Sequence, residues 1–258
     1  ALVTPDRGTT ILEYWKRQGW FAPMHDFWDT FSSSGRFEER HYDTPSEEGQ
    51  TDAGALGIRA KLKPGASRTV TFYITWYFPT FEKYWGAACC DGPECQGKPR
   101  RATWPNYYAG QFDDALDVAG KLHKKERKLR AMSMRFHDAL FSSTLPSYVL
   151  DAVSSQMAIL KTATCLRLSD GSFYGFEGCT PTAGCCDGSC THVWNYQQAL
   201  PFLFPGLERS MRSIDYKHNM RDDGGMCFRL QLPLDSPPNE FHACADGQMG
   251  GVIKTYRD

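Results

Sequence analysis

Glu177 is the residue whose surroundings most strongly invite chemistry. It sits between Phe176 and Gly178, directly after Phe173, Tyr174 and Gly175, and ahead of an apolar run that ends at Phe204. A carboxylate among aromatic rings loses hydration, and burial disfavours its charged form. Such a position calls either for compensating hydrogen bonds or for a use of the charge in catalysis. A second group lies in ACADGQMGG, residues 243–251, where Asp246 and Gln248 fall at a loop-to-helix junction. There Asp246 can cap the helix or accept a hydrogen bond from a sugar hydroxyl. His192 opens the apolar run, and structural hydrogen bonding and ligand binding both suit it. His123 and His137 fall on a helical pattern, where a surface role is expected.

The chain has ten cysteines, and CCDGPEC at 89–95 is nearly echoed by CCDGSC at 185–190, with Cys179, Cys227 and Cys244 elsewhere in the same half. Three chemistries compete for them. Zinc would suit Cys185 or Cys186 with Cys190 and His192, given a fourth ligand from elsewhere, but no CxxC pair is present. Disulfides would staple the two loops in an oxidising compartment. The plainest reading is small buried thiols in tight glycine-containing loops, and no cofactor is called for. Since thiols and disulfides both fit, the cysteines assign no compartment.

Other classes lose support. There is no phosphate-cradling GxxxxGK, no HExxH and no GxSxG, which speaks against nucleotide hydrolysis, zincin proteolysis and α/β-hydrolase chemistry. Lys plus Arg number 29 against 30 Asp plus Glu, a net charge of −1, so no global field recruits nucleic acid. No apolar run is long enough to span a bilayer, and the first residues, ALVTPDRGTT, carry no leader, so export is absent or its signal was removed. The opening without Met and the close on GGVIKTYRD, a helical pattern without a stop signal, suggest a piece of something longer. Aromatic residues make up 14% of the chain; some can stack on sugar faces, while most serve the core.

The elements that must position these residues change period along the chain. Leu56, Ile58, Ala60 and Leu62 alternate, Pro64-Gly65 makes a turn, and Val70, Phe72, Ile74, Trp76 and Phe78 alternate again, which predicts a β-hairpin with that apolar set buried. Residues 1–50 read as loops and short helices on the same layer. Phe112, Leu116, Ala119 and Leu122, then Leu129, Met132, Phe136 and Leu140, follow helical spacing around the solvent-facing basic run HKKERK at 123–128. Thr144 and Pro146 suit the start of a further helix. Residues 194–204 predict a buried helix kinked or split at Pro201 and Pro205. Strands followed by helices suggest a β-sandwich before a helical toroid, with a boundary near 100–110.

Taken in order, LKPGASRTVTFYITWYFP, FDDALDVAGKL, FSSTLPSYVLDAVSSQM, DGSFYGFEG, ALPFLFPGLERSMR and ADGQMGGVIKTYRD resemble glycoside hydrolase family 116, the β-glucosidase and non-lysosomal glucosylceramidase group. The resemblance implies part of an N-terminal β-sandwich in residues 1–108 and the first helices of an (α/α)6 barrel in 109–258. It further implies retaining hydrolysis of a β-glucoside or glycolipid. Glu177 falls on the family's nucleophile. His192 aligns approximately with a sugar-contacting carboxylate of the family, and Asp246, with Gln248 beside it, falls near the same mouth. CTPTAGCCDGSC departs from the tyrosine-rich loop of other members, which leaves the sugar preference open. The family's proton donor lies in an ADQTYD-type motif that residues 1–258 do not contain, so these residues alone are expected not to turn over a glycoside.

Overall fold

The structure, a computed structural model, describes residues 1–17, 23–85, 101–176, 188–238 and 242–258. It divides into two units, residues 1–76 with 114–126 and residues 77–113 with 127–258.

In the first unit, β1 (Leu2–Val3) pairs antiparallel with β4 (Tyr73–Ile74), and β2 (Thr9–Leu12) pairs antiparallel with β3 (Ala55–Ile58), with Thr9 opposite Ile58 and Leu12 opposite Ala55. The turn falls where the sequence places it: Ala66 N donates to Lys63 O at 2.9 Å, and Gly65 takes φ 76°, a conformation that favours glycine. The expected hairpin does not form, because residues 2–12, read as loop from the sequence, supply the partner strands for both arms. The buried face is reversed as well. Phe72, Ile74, Trp76 and Phe78 are 46%, 72%, 76% and 67% exposed, while Tyr73 and Thr75 are buried. Hydrogen bonding explains the reversal. Tyr73 Oη donates to Glu126 Oε2 at 2.5 Å and lies 3.0 Å from His123 Nδ1, and Thr75 Oγ1 donates to Ala115 O at 2.7 Å. Helix α1 (Pro23–Ser34) adds Phe27 and Phe31, whose rings stack with Trp15 and Phe37.

Helix α2 (Ala115–Phe141) runs unbroken through the basic stretch, as its spacing predicts. Ala119 is buried, whereas Leu129, Met132 and Phe136 are half exposed.

The second unit contains antiparallel pairs β5 (Thr80–Glu82) with β6 (Thr103–Pro105), β7 (Cys165–Arg167) with β8 (Phe173–Gly175), and β9 (Ser189–Cys190) with β10 (Arg229–Leu230). Helix α3 (Ser147–Gln156) starts directly after Pro146, whose fixed φ suits a helix entrance. The run from Trp194 splits into a 3-10 turn (Val193–Asn195), α4 (Ala199–Leu203) and α5 (Pro205–His218); the break at Phe204 falls before Pro205 as expected, whereas Pro201 does not split the chain but sits in the first turn of α4, where its missing N–H costs no helical hydrogen bond. Leu200 is buried, but Phe202 is 76% exposed, so the run is not covered all round. Helix α6 (Ala245–Arg257) follows. Among the described residues, three of the five two-stranded sheets and the 12-residue α1 lie up to Pro105, and the other two sheets and the 27-, 14- and 13-residue helices α2, α5 and α6 follow it.

Candidate active site

Strand β8 delivers the chain to position 177, and it is clamped on both faces. Side chains alternate across a strand, so Tyr174 and Phe176 enter one apolar cluster with Trp85, Leu166, Leu168, Ile214, Leu230 and Leu232, while Phe173 enters another with Trp194, Leu200 and Met211. Phe176 and Trp85 stack with centroids 4.3 Å apart. Gly175 shares the face of Phe173, where a Cβ would lie 2.0 Å from the Trp194 ring. Polar ties complete the clamp: Phe176 N donates to Thr164 O at 2.7 Å, Phe173 N to Ser210 Oγ at 2.7 Å, and Tyr174 Oη to Leu230 O at 2.7 Å. Glu177 itself lies outside the described residues, as do Cys179, Cys185, Cys186 and the CCDGPEC segment.

Where the chain is next described, β9 places Cys190 in the interior and turns His192 outward. Thr191 N donates to Phe228 O at 3.0 Å and fixes that turn. His192 Nδ1 pairs with Asp246 Oδ2. The other carboxylate oxygen, Oδ1, accepts from Cys244 Sγ at 2.9 Å and from Gly247 N at 3.0 Å. Cys244, not Asp246, occupies the N-cap of α6, so Asp246 lies within the first turn, where a negative charge complements the helix dipole. The hydrogen bond from Cys244, helped by His192 and the Gly247 N–H and opposed by desolvation, holds the Asp246 carboxyl below the usual carboxylate range. Burial, followed by the bond to Asp246, pushes the Cys244 thiol up to about 11. His192 and Asp246 side chains remain 43% and 51% exposed.

Gln248 is engaged at both ends of its amide: Oε1 accepts from Met226 N at 3.2 Å and Nε2 donates to Gly224 O at 3.2 Å. It therefore ties the 220–226 turn to the start of α6. Asn195 Nδ2 donates to Asp246 O at 2.9 Å and secures the same turn of helix from the other side.

Behind these residues α5 and α6 enclose a cavity of about 190 Å³, lined among others by Thr191, Asn195, Asp215, Tyr216, Gln248 and Lys254. Its floor is charged and buried. Glu208 Oε1 accepts from Arg212 at 2.5 Å and Arg257 at 2.8 Å and lies 4.0 Å from Lys254 Nζ. Burial raises the Asp215 carboxyl to about 6, against the pull of Lys254 and Arg212. Burial, with Arg212 nearby, lowers Lys254 to about 8. Among the described residues Asp215 Oδ1 has no hydrogen-bond partner.

The structure thus brings His192, Asp246 and Gln248 onto one stretch of surface around the N-terminus of α6, and puts Cys190 beneath it. Sequence reading missed Cys244, whose only signal was its i,i+2 spacing from Asp246. It also missed the Glu208, Arg212, Asp215 and Lys254 cluster, of which the first three are legible only as charges at helical spacing within LERSMRSID, while Lys254 comes from α6.

Residues 1–129 match the family model described as beta-glucosidase 2, glycosyl-hydrolase family 116 N-term, so the class is that of a glycoside hydrolase. The chain belongs to glycosyl-hydrolase family 116. No curated protein matches it in sequence. No helix of the described residues is long and apolar enough to cross a membrane.

Proposed function

We propose that this chain carries the nucleophile of a retaining β-glucosidase, with Glu177 as the attacking carboxylate. One observation supports this most directly: β8, buried on both faces, hands the chain to residue 177 from a fixed point, with Phe176 only 1% exposed. A retaining glycosidase needs that constancy, because an ionised carboxylate must sit under the anomeric carbon with a proton donor about 5 Å away. Glu177 attacks the anomeric carbon, the donor protonates the departing oxygen, and water then hydrolyses the glycosyl ester. His192 faces the sugar through Nε2, since Nδ1 is turned towards Asp246. Asp246 orients that ring, and Gln248 contributes by holding the adjoining turn.

The architecture we propose is a β-sandwich contributed by residues 1–108, then the first helices of an (α/α)6 toroid in 109–258. It is supported by the family match, by the position of the three longest helices after Pro105, and by an apolar stripe on α6: Met249, Val252, Ile253 and Tyr256 are 68%, 64%, 67% and 94% exposed. Substrates are β-linked glucosides or glucosylceramide-like glycolipids.

In the full-length protein, a cyclophellitol-type epoxide is expected to esterify Glu177, with the adduct located by peptide mass spectrometry and lost in Glu177→Gln. An adduct on a different carboxylate would refute the assignment.

A further inference from the structure

We propose that His192, Cys244 and Asp246 form a zinc site with three protein ligands and one coordination position open to solvent. One ligand atom from each lies within 4.8 Å of the others: an imidazole nitrogen, a thiol sulfur and a carboxylate oxygen. Zinc binds this donor mixture, with bonds of about 2.3 Å to sulfur and 2.0–2.2 Å to nitrogen and oxygen. Tetrahedral ligands then stand about 3.3–3.7 Å apart, so the site closes around the ion by roughly 1 Å at its widest, while the His192–Asp246 contact opens to about 3.3 Å.

The two chain segments present their ligands in a matched way. Cys190-Thr191-His192 and Cys244-Ala245-Asp246 are both i,i+2 pairs, and each places one thiol in the interior and one polar group at the surface. Backbone ties hold both segments. Thr191 is bonded to Phe228 O, and Asn195 is bonded to Asp246 O. The exposed sides of His192 and Asp246 leave room for the fourth ligand, a water or a substrate hydroxyl.

The electrostatics of the helix end work in both directions. The N-terminus of α6 repels a cation and burial keeps the metal-free Cys244 thiol protonated, but once bound the thiolate and carboxylate together supply two negative charges to the ion. Binding costs Cys244 its proton, which goes to solvent. A neutral His192 shifts its hydrogen from Nδ1 to Nε2, leaving Nδ1 for the metal and an Nε2–H donor facing outward. Affinity therefore rises with pH. Nothing in this depends on Glu177 being the nucleophile.

The test is cobalt(II) titration of the reduced, chelator-treated full-length protein, followed by zinc competition. A thiolate-to-cobalt charge-transfer band saturating at one equivalent is expected. Cys244→Ser, which keeps a hydroxyl to bond Asp246, should remove the band, and His192→Ala should weaken binding at least about 100-fold, beyond the loss typical of a supporting partner. If Cys244→Ser does not fold, His192→Ala decides alone, since that side chain is well exposed. Glu177→Gln should bind cobalt as wild type does, which separates this site from the glycosidase reading. Absence of the band in wild type, or cobalt affinity unchanged in His192→Ala, would overturn the proposal.

Discussion

At Gly175 the absence of a side chain is a packing requirement and not a matter of backbone freedom, since no positive φ is involved. A methyl group there would lie 2.0 Å from the Trp194 ring, and that ring is 6% exposed among Phe173, Leu200 and Met211. Gly175→Ala is therefore expected to destabilise by about 1–3 kcal/mol, the usual range for overpacking a filled core. Denaturant unfolding would measure this, and a change below about 0.5 kcal/mol would mean that Trp194 yields easily. The aromatic turn was legible in the sequence because Phe173, Tyr174 and Phe176 crowd one short segment. The identity of the ring against Gly175 was not, because contact between residues 175 and 194 is set by tertiary packing.

Between elements, buried charges join α5 to α6: Glu208 Oε1 accepts from Arg257 at 2.8 Å and lies 4.0 Å from Lys254 Nζ. Asp215 has its carboxyl raised from 3.8 to about 6, so the folded chain binds a proton that the unfolded chain has lost between those values. Its contribution is therefore fully present below about pH 4 and is lost as pH rises through 6, a swing on the order of 3 kcal/mol. Lys254 behaves oppositely. Lowered from 10.5 to about 8, it destabilises the fold below 8, and the penalty lifts as pH climbs towards 10.5. Asp215→Asn should gain in melting temperature relative to wild type as pH goes from 4 to 7. A difference that stays flat over that interval would show that Asp215 ionises normally. Sequence periodicity found α2 and the proline-induced split before α5, because helical spacing is a local property. It failed at the hairpin, because alternation tells which residues share a face and not which strand will pair with them. Tyr73 and Thr75 took the covered face because their hydroxyls found Glu126, His123 and Ala115.

For the molecule as a whole, exposed apolar groups are the salient property. Met249, Val252, Ile253 and Tyr256 recur at helical spacing on α6, each more than 60% exposed. Stripes of this kind on a helix normally meet another helix. Purified residues 1–258 are thus expected to elute above 29.2 kDa in size-exclusion chromatography, and Ile253→Lys should shift them towards that mass. Elution as a monomer by both proteins would show that the stripe tolerates water.

The two ends of the segment between Phe176 and Gly188 are both nailed down. Phe176, directly after β8, is held by Thr164 O and the stack on Trp85, and Gly188, at φ 82°, sits so close to Leu230 O that a Cβ would approach it to 2.5 Å. Departure and return points for the intervening residues are consequently constants of the scaffold. Sequence drift or length change within residues 177–187 is then expected to leave the packing of Phe176 and Gly188 unchanged, so the flanking strands can keep their framework while the segment between them varies.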